Sequence, residues 1–374
     1  LPKHLWQSVN PEEFPFSKLN IEPVGQGPFS IERLYSSEAG IPEEMLLSAW
    51  LRGHATPYLS RMRFTFFNDI DELAAEAKKD PSLAVHSVPP DLAQGRQVNE
   101  AIIGRVFGVF FNQNNNDVFA DRIVREALNA SLDKQTIVDT LIGGYGSPIE
   151  GPLPPKSTDE VLSSEDAAQR LAHATALLTD AGWTKGEDGV FVKKLKSGSK
   201  RLSFTLTTSN APELKALAEA VRDTWVELGA EVSVQLFDQN DLQQDVIRPR
   251  KYDALLFGEI VGRDLDLFAF WHSSQRNDPG LNIALYANIS VDKALTDARG
   301  IDDVAARREK AEEAASIIQD EVAAVFLYSP HFLYLTPQKV SGIELGTIAT
   351  PSDRFANSTE WYLATERVWP IFAE

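Results

Sequence analysis

The sequence contains no cysteine among its 374 residues. This absence excludes disulfide bonds, thiolate metal sites and thiol catalysis, and it is compatible with an oxidising compartment without requiring one. The sequence also lacks a run of about 18 apolar residues, which a membrane-spanning helix needs, and it does not open with a basic segment followed by an apolar one. We therefore expect a chain without a transmembrane helix and without an export signal in the given sequence.

The charge of the chain is strongly one-sided. With 36 basic and 54 acidic side chains, the formal net charge is −18, and the resulting negative field repels phosphate backbones and anionic lipid surfaces. Nucleic acid is therefore excluded as an expected partner. The 43% of hydrophobic residues is enough for packed cores, and the length predicts two or three of them, because single cores seldom exceed ~250–300 residues.

The clearest local pattern lies between residues 200 and 260. Apolar residues alternate from Leu202 to Leu206 as in a strand, and from Leu214 to Leu228 they recur at helical spacing before Gly229. A second alternating run covers 232–236, and 252–257 is almost continuously apolar, as strands buried on both faces are. The pattern predicts a β-α-β unit followed by a further strand.

Other segments show helical or strand patterns of their own. We predict helices at 70–79, at 123–128, from a cap at Asp133 to the glycines at 143–144, at 171–181 and at 302–321, and two short strands at 325–328 and 332–335. The first hundred residues are otherwise strand-like and rich in turn signals. We find no internal repeat, and the class is α/β.

Several segments, in the same order along the chain, resemble family 5 of the bacterial extracellular solute-binding proteins, the class that includes dipeptide-, oligopeptide- and nickel-binding proteins. The most specific segment runs from Asp121 to Leu128 and on to Asp133 and resembles the family's D-x-R-V-R-Q-A-L signature. The other segments that carry the resemblance are 24–29 (similar to V-G-T-G-P-Y), 57–59, 111–112, 177–183, 188–189, 252–253 and 282–299.

The resemblance implies a two-lobed α/β fold like that of type II periplasmic binding proteins. The opening residues resemble a segment that family members carry well inside the chain, so we expect the amino-terminal part of the family polypeptide to be missing. Residues 1–105 are then the remainder of lobe I, 106–325 form lobe II, and 326–374 return to lobe I. Hinges are expected near 107–112 and 325–328, with solute bound between the lobes.

The function implied by the resemblance is that of the substrate-binding component of an ABC importer. Such a component captures a peptide or similar polar oligomer and delivers it to a permease in the membrane. We expect a monomer in the periplasm or outside the cell, with or without a lipid anchor, that needs neither cofactor nor metal and catalyses no reaction. A carbohydrate-binding member of the family and a glycoside hydrolase with paired carboxylates are the alternatives.

The segment after 252–257 supplies charged candidates for the ligand site. Peptide binders of the family usually place Gly-Trp and then an aspartate here, where the aspartate pairs with the peptide amine. This chain has Glu259 at the tryptophan position, and its next acid is Asp264. Either carboxylate is a candidate partner of a ligand ammonium, and Arg263 is a candidate partner of a carboxylate; ordinary solvated side chains are the alternative.

Aromatic and amide side chains complete the candidate set. Trp271 suits the wall of a ligand site, whereas the neighbouring His272 is expected to be either a ligand contact or an ordinary hydrogen-bonded histidine. Asn282 either fixes its loop or contacts the ligand. Asn112, near one expected hinge, either satisfies exposed strand edges or meets solute.

Enzymatic motifs are absent from the sequence. No G-x-S-x-G turn is present, the six histidines show no metal-ligand spacing, and the glycines at 143–146 follow a helix instead of opening one, which is the wrong end for binding phosphate.

Overall fold

A computed structural model describes residues 3–52, 56–86, 88, 90–158, 166–196 and 198–363. These residues form two compact units. Unit 1 comprises the residues up to 99, 333–346 and those from 351 onward, and unit 2 comprises 100–332 and 347–350. Helices and strands occur together along the chain, which confirms the expected α/β class.

The described residues form sixteen strands and ten α-helices. The strands are β1 (Phe29–Ser36), β2 (Pro42–Ala49), β3 (Arg61–Thr65), β4 (Val85–His86), β5 (Gln97–Ile102), β6 (Arg105–Phe111), β7 (Gly146–Pro148), β8 (Trp183–Lys185), β9 (Phe191–Leu195), β10 (Gly198–Arg201), β11 (Ser203–Ser209), β12 (Glu231–Phe237), β13 (Ala254–Ile260), β14 (Ala324–Thr336), β15 (Val340–Ser341) and β16 (Tyr362–Leu363). The helices are α1 (Lys3–Trp6), α2 (Ile70–Lys79), α3 (Arg122–Ala130), α4 (Lys134–Leu141), α5 (Ala167–Asp180), α6 (Pro212–Leu228), α7 (Gln239–Asp241), α8 (Phe268–Trp271), α9 (Ile289–Arg299) and α10 (Val304–Asp320).

Unit 2 is built on a mixed sheet with the strand order β12-β11-β13-β6-β14. The predicted β-α-β unit is β11-α6-β12, whose strands are parallel, and β13 lies parallel to β11 on its other side. Strand β6 runs antiparallel to β13, with Phe111 opposite Ala254 and Arg105 opposite Ile260. A separate three-stranded sheet is formed by β8, β9 and β10.

Helices cover both faces of this sheet. Successive residues of a strand point to opposite faces, so Val109 and Phe111 of β6 pack with α3, α4, α5 and α6. Val106 and Phe110 of the same strand pack with α8, α9 and α10. The central strands β6 and β13 are therefore covered on both sides, as the nearly continuous apolar run at 252–257 predicted.

Helix ends confirm several of the signals found in the sequence. Asp133 caps α4 by accepting a hydrogen bond from the Thr136 backbone N–H at 3.0 Å. Helix α6 ends at Gly229, whose φ of 117° lies in the left-handed region. The predicted helices at 70–79 and 302–321 correspond to α2 and α10.

The prediction of two short strands near 330 was wrong, because β14 is one strand of 13 residues. Ser329 and Pro330 interrupt the apolar pattern and indicated a break. In the structure Ser329 is fully buried, and its hydroxyl donates to the backbone oxygen of Arg105 at 2.9 Å. Pro330 lies opposite Gly146 of β7, which pairs with this part of β14.

Unit 1 contains a three-stranded antiparallel sheet, β1-β2-β3, and a small core. The core consists of buried residues from α2, β4, the segment between β4 and β5, and the carboxyl-terminal part of β14: Ala77, Val85, Val88, Leu92 and Leu335. No residue of β1, β2 or β3 is fully buried. Much of the apolar surface of this sheet therefore lies open within the described part of unit 1.

The described residues include no helix that is both long enough and apolar enough to cross a membrane.

Gly229 allows a direct test of the turn that follows α6. A Cβ atom at this position would lie 2.9 Å from the backbone oxygen of Gly189 and 3.0 Å from a ring carbon of Phe191. We expect Gly229→Ala to lower the free energy of unfolding by about 2–4 kcal/mol, because it adds this clash to an unfavourable φ. Urea unfolding followed by circular dichroism measures the change.

The matched control is Gly182→Ala. Gly182 also has a positive φ, 85°, but a Cβ there would meet no atom within 4 Å. This variant should lose only about 1–2 kcal/mol, the cost of the left-handed conformation alone. Equal losses in the two variants would show that the contacts around Gly229 contribute nothing.

Candidate functional site

All seven residues that the sequence singles out lie in unit 2. Glu259 is the next-to-last residue of β13, opposite Val106 of β6. It is 1% exposed and points to the face covered by α8 and α9, where Trp271 donates its indole Nε1–H to Glu259 Oε2 at 3.2 Å. The other carboxyl oxygen, Oε1, is enclosed without a hydrogen-bond partner.

Burial determines the protonation state of Glu259. Removing the carboxylate from water raises the pKa of Glu259 to about 8, and the hydrogen bond from Trp271 offsets only part of this effect. At neutral pH the side chain is therefore predominantly a neutral acid. A neutral acid provides no counter-charge for a ligand ammonium, and this separates Glu259 from the exposed acids near it.

Trp271 is the centre of an aromatic cluster. It is fully buried at the end of α8, and its ring centroid lies 5.7–6.1 Å from those of Phe110, Tyr286 and Phe326. These rings belong to the apolar core on this face of the sheet. Trp271 therefore fixes α8 against β6 and β14 and has no exposed surface to offer a ligand in this conformation.

The loop after β13 brings opposite charges to the surface. Arg263 and Asp264 are neighbours and both are exposed. Asp264 lies 3.8 Å from the Arg307 guanidinium, and its side chain is 76% exposed. Arg263 Nη2 lies 3.5 Å from the backbone oxygen of Thr347. An ion pair this exposed is weak, so the carboxylate of Asp264 is available to a charged solute.

His272 and Asn282 hold the segment that follows Trp271. The Ser274 backbone N–H donates to His272 Nδ1 at 3.1 Å, and the His272 ring stacks on Phe268 with 4.1 Å between centroids. Asn282 is fully buried; its amide donates to the backbone oxygens of His272 and Tyr286, and its Oδ1 accepts from the Tyr286 N–H. Both side chains are engaged in fixing the local backbone.

Asn112 lies at the far end of β6 from Glu259. Its Nδ2 donates to the backbone oxygen of Arg250 at 2.9 Å, and its Oδ1 accepts from the N–H groups of Asn114 and Asn115. Asn112 lies six positions after Val106, the residue opposite Glu259, so Asn112 and Glu259 lie roughly 20 Å apart along the strand. The structure thus groups Glu259 with Trp271 and His272 with Asn282, places Arg263 beside Asp264, and leaves Asn112 apart.

His331, which the sequence did not single out, contacts a serine through one ring nitrogen and a glutamate through the other. His331 Nε2 lies 3.0 Å from Ser147 Oγ, and Nδ1 lies 2.8 Å from Glu100 Oε2. The order serine, histidine, carboxylate is that of a hydrolase triad. Ser147 is only 1% exposed and lies within β7, so a scissile bond has no access to its hydroxyl, and the three residues tie β7 and β5 to β14.

The residues that carry the most specific sequence signature serve the fold. Asp121 caps α3 and forms an ion pair with Lys193 at 3.0 Å. Arg125 is buried and donates to the backbone oxygens of Phe119, Glu321 and Val322 at 2.6–2.7 Å. This arginine therefore joins α3 to the turn before β14.

Across the described ranges, no three histidine, aspartate or glutamate side chains are grouped so that they could hold a metal ion.

The protonation of Glu259 predicts how stability depends on pH. Its pKa is about 8 in the folded chain and near 4.5 when exposed. Between these values the unfolded chain loses a proton that the folded chain keeps, so the free energy of unfolding falls as pH rises from about 4.5 to 8. We expect Glu259→Gln to match the wild type near pH 4.5 and to exceed its stability at pH 8 by roughly 4 kcal/mol.

Urea unfolding at both pH values measures this difference. Glu227→Gln, on the exposed surface of α6, is the control and should change stability by no more than about 0.5 kcal/mol at either pH. A Glu259→Gln variant whose difference from the wild type is the same at both pH values would contradict a buried neutral acid.

Comparisons with known proteins agree with the fold and with the resemblance found in the sequence. The family model described as "Bacterial extracellular solute-binding proteins, family 5 Middle" matches residues 2–279 of this chain. The oligopeptide-binding protein AppA of Bacillus subtilis (strain 168) is 26% identical over 378 residues, covering 97% of this chain and 66% of that protein. The chain thus spans slightly less than two thirds of the length of such relatives.

Solved structures show the same fold. The structure of Bacillus subtilis AppA in complex with a nonapeptide matches 98% of this chain and 72% of that one, with a TM-score of 0.60 and 24% identity. The ABC transporter substrate-binding protein CtaP of Listeria monocytogenes matches with the same coverage, a TM-score of 0.73 and 20% identity. The chain therefore has the fold of these transporter-associated binding proteins, and it belongs to family 5 of the bacterial extracellular solute-binding proteins.

Proposed function

We propose that this chain acts as the substrate-binding component of an ABC importer, which captures a peptide or similar polar oligomer and delivers it to a membrane permease. The observation that carries the proposal is the family match over residues 2–279. The oligopeptide-binding relative, whose structure contains a nonapeptide, supports a peptide as the solute. The protein would act in the periplasm or outside the cell, as a monomer, without a cofactor.

The exposed loop after β13 supplies the chemistry that a peptide requires. A free peptide carries an ammonium group and a carboxylate, and Asp264 and Arg263 present the complementary charges on adjacent residues. Glu259 is mostly protonated at neutral pH, which favours Asp264 over Glu259 as the partner of the ammonium. The role that we propose for Glu259 is to hold Trp271, and through it α8, below this loop.

The expected division into lobes is part of this proposal. Lobe I would comprise 1–105 and 326–374, and lobe II would comprise 106–325, with hinges at 107–112 and 325–328. The separation of the described residues into two compact units supports a two-lobed arrangement. In the described chain the passages between units fall at 99–100, 332–333, 346–347 and 350–351, outside both expected hinge segments. Binding would require only closure around the solute, and no bond would be made or broken.

A thermal-shift screen tests the function. We expect free di- to pentapeptides to raise the melting temperature of the chain, because a ligand that binds only the native state stabilises it by mass action. Asp264→Asn and Arg263→Gln should each weaken peptide binding roughly tenfold, about 1.4 kcal/mol, by removing one charge-assisted contact. Titration calorimetry with the best peptide measures both affinities.

Arg222→Gln is the matched control, since Arg222 lies on α6 and pairs with its neighbour Asp223. It should leave peptide affinity unchanged. If only oligosaccharides stabilised the chain, the ligand would be a carbohydrate and not a peptide. If a cleaved product were released, the chain would be a hydrolase and not a binding protein. If both loop variants bound peptide with unchanged affinity, the peptide site would not lie at this loop.

A further inference from the structure

The small sheet formed by β8, β9 and β10 is basic, although the chain as a whole is acidic. Residues 193–201 cover the second half of β9, the turn after it and β10, and they include five lysine or arginine residues and no acidic residue. The net charge of the whole chain is −18. A local concentration of the opposite sign favours a partner that is itself negatively charged.

One face of this small sheet is fixed to the core of unit 2. Trp183 of β8 and Phe191 of β9 are buried in the core that also contains α3, α5 and α6. The Phe191 backbone N–H donates to the backbone oxygen of Gly229 at 2.9 Å. The sheet is therefore held in place at its base, and the position of the turn between β9 and β10 is set by the core.

Two lysines of the sheet pair with acids of the segment that leads into α3. Lys193 Nζ lies 3.0 Å from Asp121 Oδ2, and Lys200 Nζ lies 3.0 Å from Asp117 Oδ2. Lys193 and Lys200 are opposite each other on β9 and β10, so the two ion pairs are neighbours. Each pair is neutral as a whole, and any further lysine at this end of the sheet adds positive charge.

The turn between β9 and β10 carries such lysines on either side of an exposed leucine. Lys194 and Lys196 are exposed, and neither pairs with an acid among the residues that the structure describes. Leu195, between them, is 45% exposed. We call Lys194, Leu195 and Lys196 the basic turn. It presents one apolar side chain between two cations that have no counter-charge in the described chain.

The surface of an anionic lipid bilayer fits all three side chains of the basic turn. Lysine ammonium groups attract acidic lipid headgroups, and each lysine near the surface raises the affinity roughly fivefold. An exposed leucine gains from entering the boundary between headgroups and acyl chains. A soluble polyanion would contact Lys194 and Lys196 but would leave Leu195 in water, so the combination favours a bilayer.

The net charge of the chain does not prevent this contact. At physiological ionic strength the interaction between exposed charges is screened beyond about 8 Å. Acids farther from the bilayer than this distance therefore contribute little repulsion. Asp117 and Asp121, the acids paired with the sheet, are already neutralised by Lys200 and Lys193.

We propose that the basic turn binds the surface of an anionic lipid bilayer, with Leu195 in the headgroup region and Lys194 and Lys196 on lipid phosphates. Two cations and one leucine make such binding weak and reversible. If the importer function proposed above holds, this contact would concentrate the chain at the membrane surface that contains the permease.

Vesicle sedimentation tests the proposal. The whole chain, without peptide, is mixed with vesicles of phosphatidylcholine alone or of phosphatidylcholine and phosphatidylglycerol in equal amounts. We expect the chain to sediment with the acidic vesicles and not with the neutral ones. Raising the salt concentration from about 0.1 M to about 0.5 M should weaken this binding roughly tenfold, because salt screens the lysines.

Variants of the basic turn locate the contact. The double variant Lys194→Gln, Lys196→Gln should bind the acidic vesicles roughly 25-fold more weakly than the wild type. Leu195→Ser should weaken binding roughly tenfold, because it removes the apolar group that enters the bilayer. All three side chains are exposed, so the variants should fold, and circular dichroism verifies this.

Matched controls make the same chemical changes elsewhere in unit 2. Lys215→Gln combined with Lys251→Gln removes two exposed lysines, and Val226→Ser removes an exposed apolar side chain of α6. Both controls should bind the acidic vesicles like the wild type.

Three outcomes would overturn the proposal. The first is a wild-type chain that binds acidic vesicles no better than neutral ones, and the second is an equal loss of binding in the lysine double variant and its control. The third is wild-type binding by Leu195→Ser, since the turn would then recognise charge alone and an acidic protein would be the better partner. Peptide affinity should be unchanged in all variants of the basic turn, so the failure of solute binding and the failure of bilayer binding are distinguishable.

Discussion

The structure of unit 2 depends on the burial of β6 between β13 and β14 and between two layers of helices. Its side chains alternate between the two cores, with Val109 on one face and Phe110 on the other. A strand in this position has no solvated face on which to carry polar chemistry. The polar candidates are therefore found where strands end, at Asn112 after β6 and at Arg263 and Asp264 after β13.

Glu259 is the exception, because it places an ionisable group inside β13. The free energy required to bury the charged carboxylate exceeds the stabilisation from one indole hydrogen bond. The carboxyl group therefore stays protonated and neutral. This neutrality also makes an acid compatible with the aromatic cluster around Trp271. Glu259 thus lies buried against Trp271, while Arg263 and Asp264 in the loop that follows are exposed.

Local sequence patterns were sufficient to predict a helix when both its apolar spacing and a residue that marks its start or end are present in the sequence. Helix α6 could be predicted with its end, since apolar spacing and Gly229 agree, and Asp133 marked the start of α4. The continuity of β14 could not be predicted, because the burial of Ser329 depends on a partner at Arg105, far away in the sequence. The same limitation hid the contact of His331 with Glu100, 231 residues apart, and the resemblance alone could not show that Glu259 is enclosed while Asp264 is exposed.

The late position of β14 in the chain affects how the protein is made. Val325 pairs with Val109, so the second edge of β6 stays open until more than two hundred further residues have been synthesised. At ribosomal rates of about 5–20 residues per second this interval lasts on the order of 10–40 s. During that time an apolar strand edge is exposed to other nascent chains, and unit 1 still awaits its final segments.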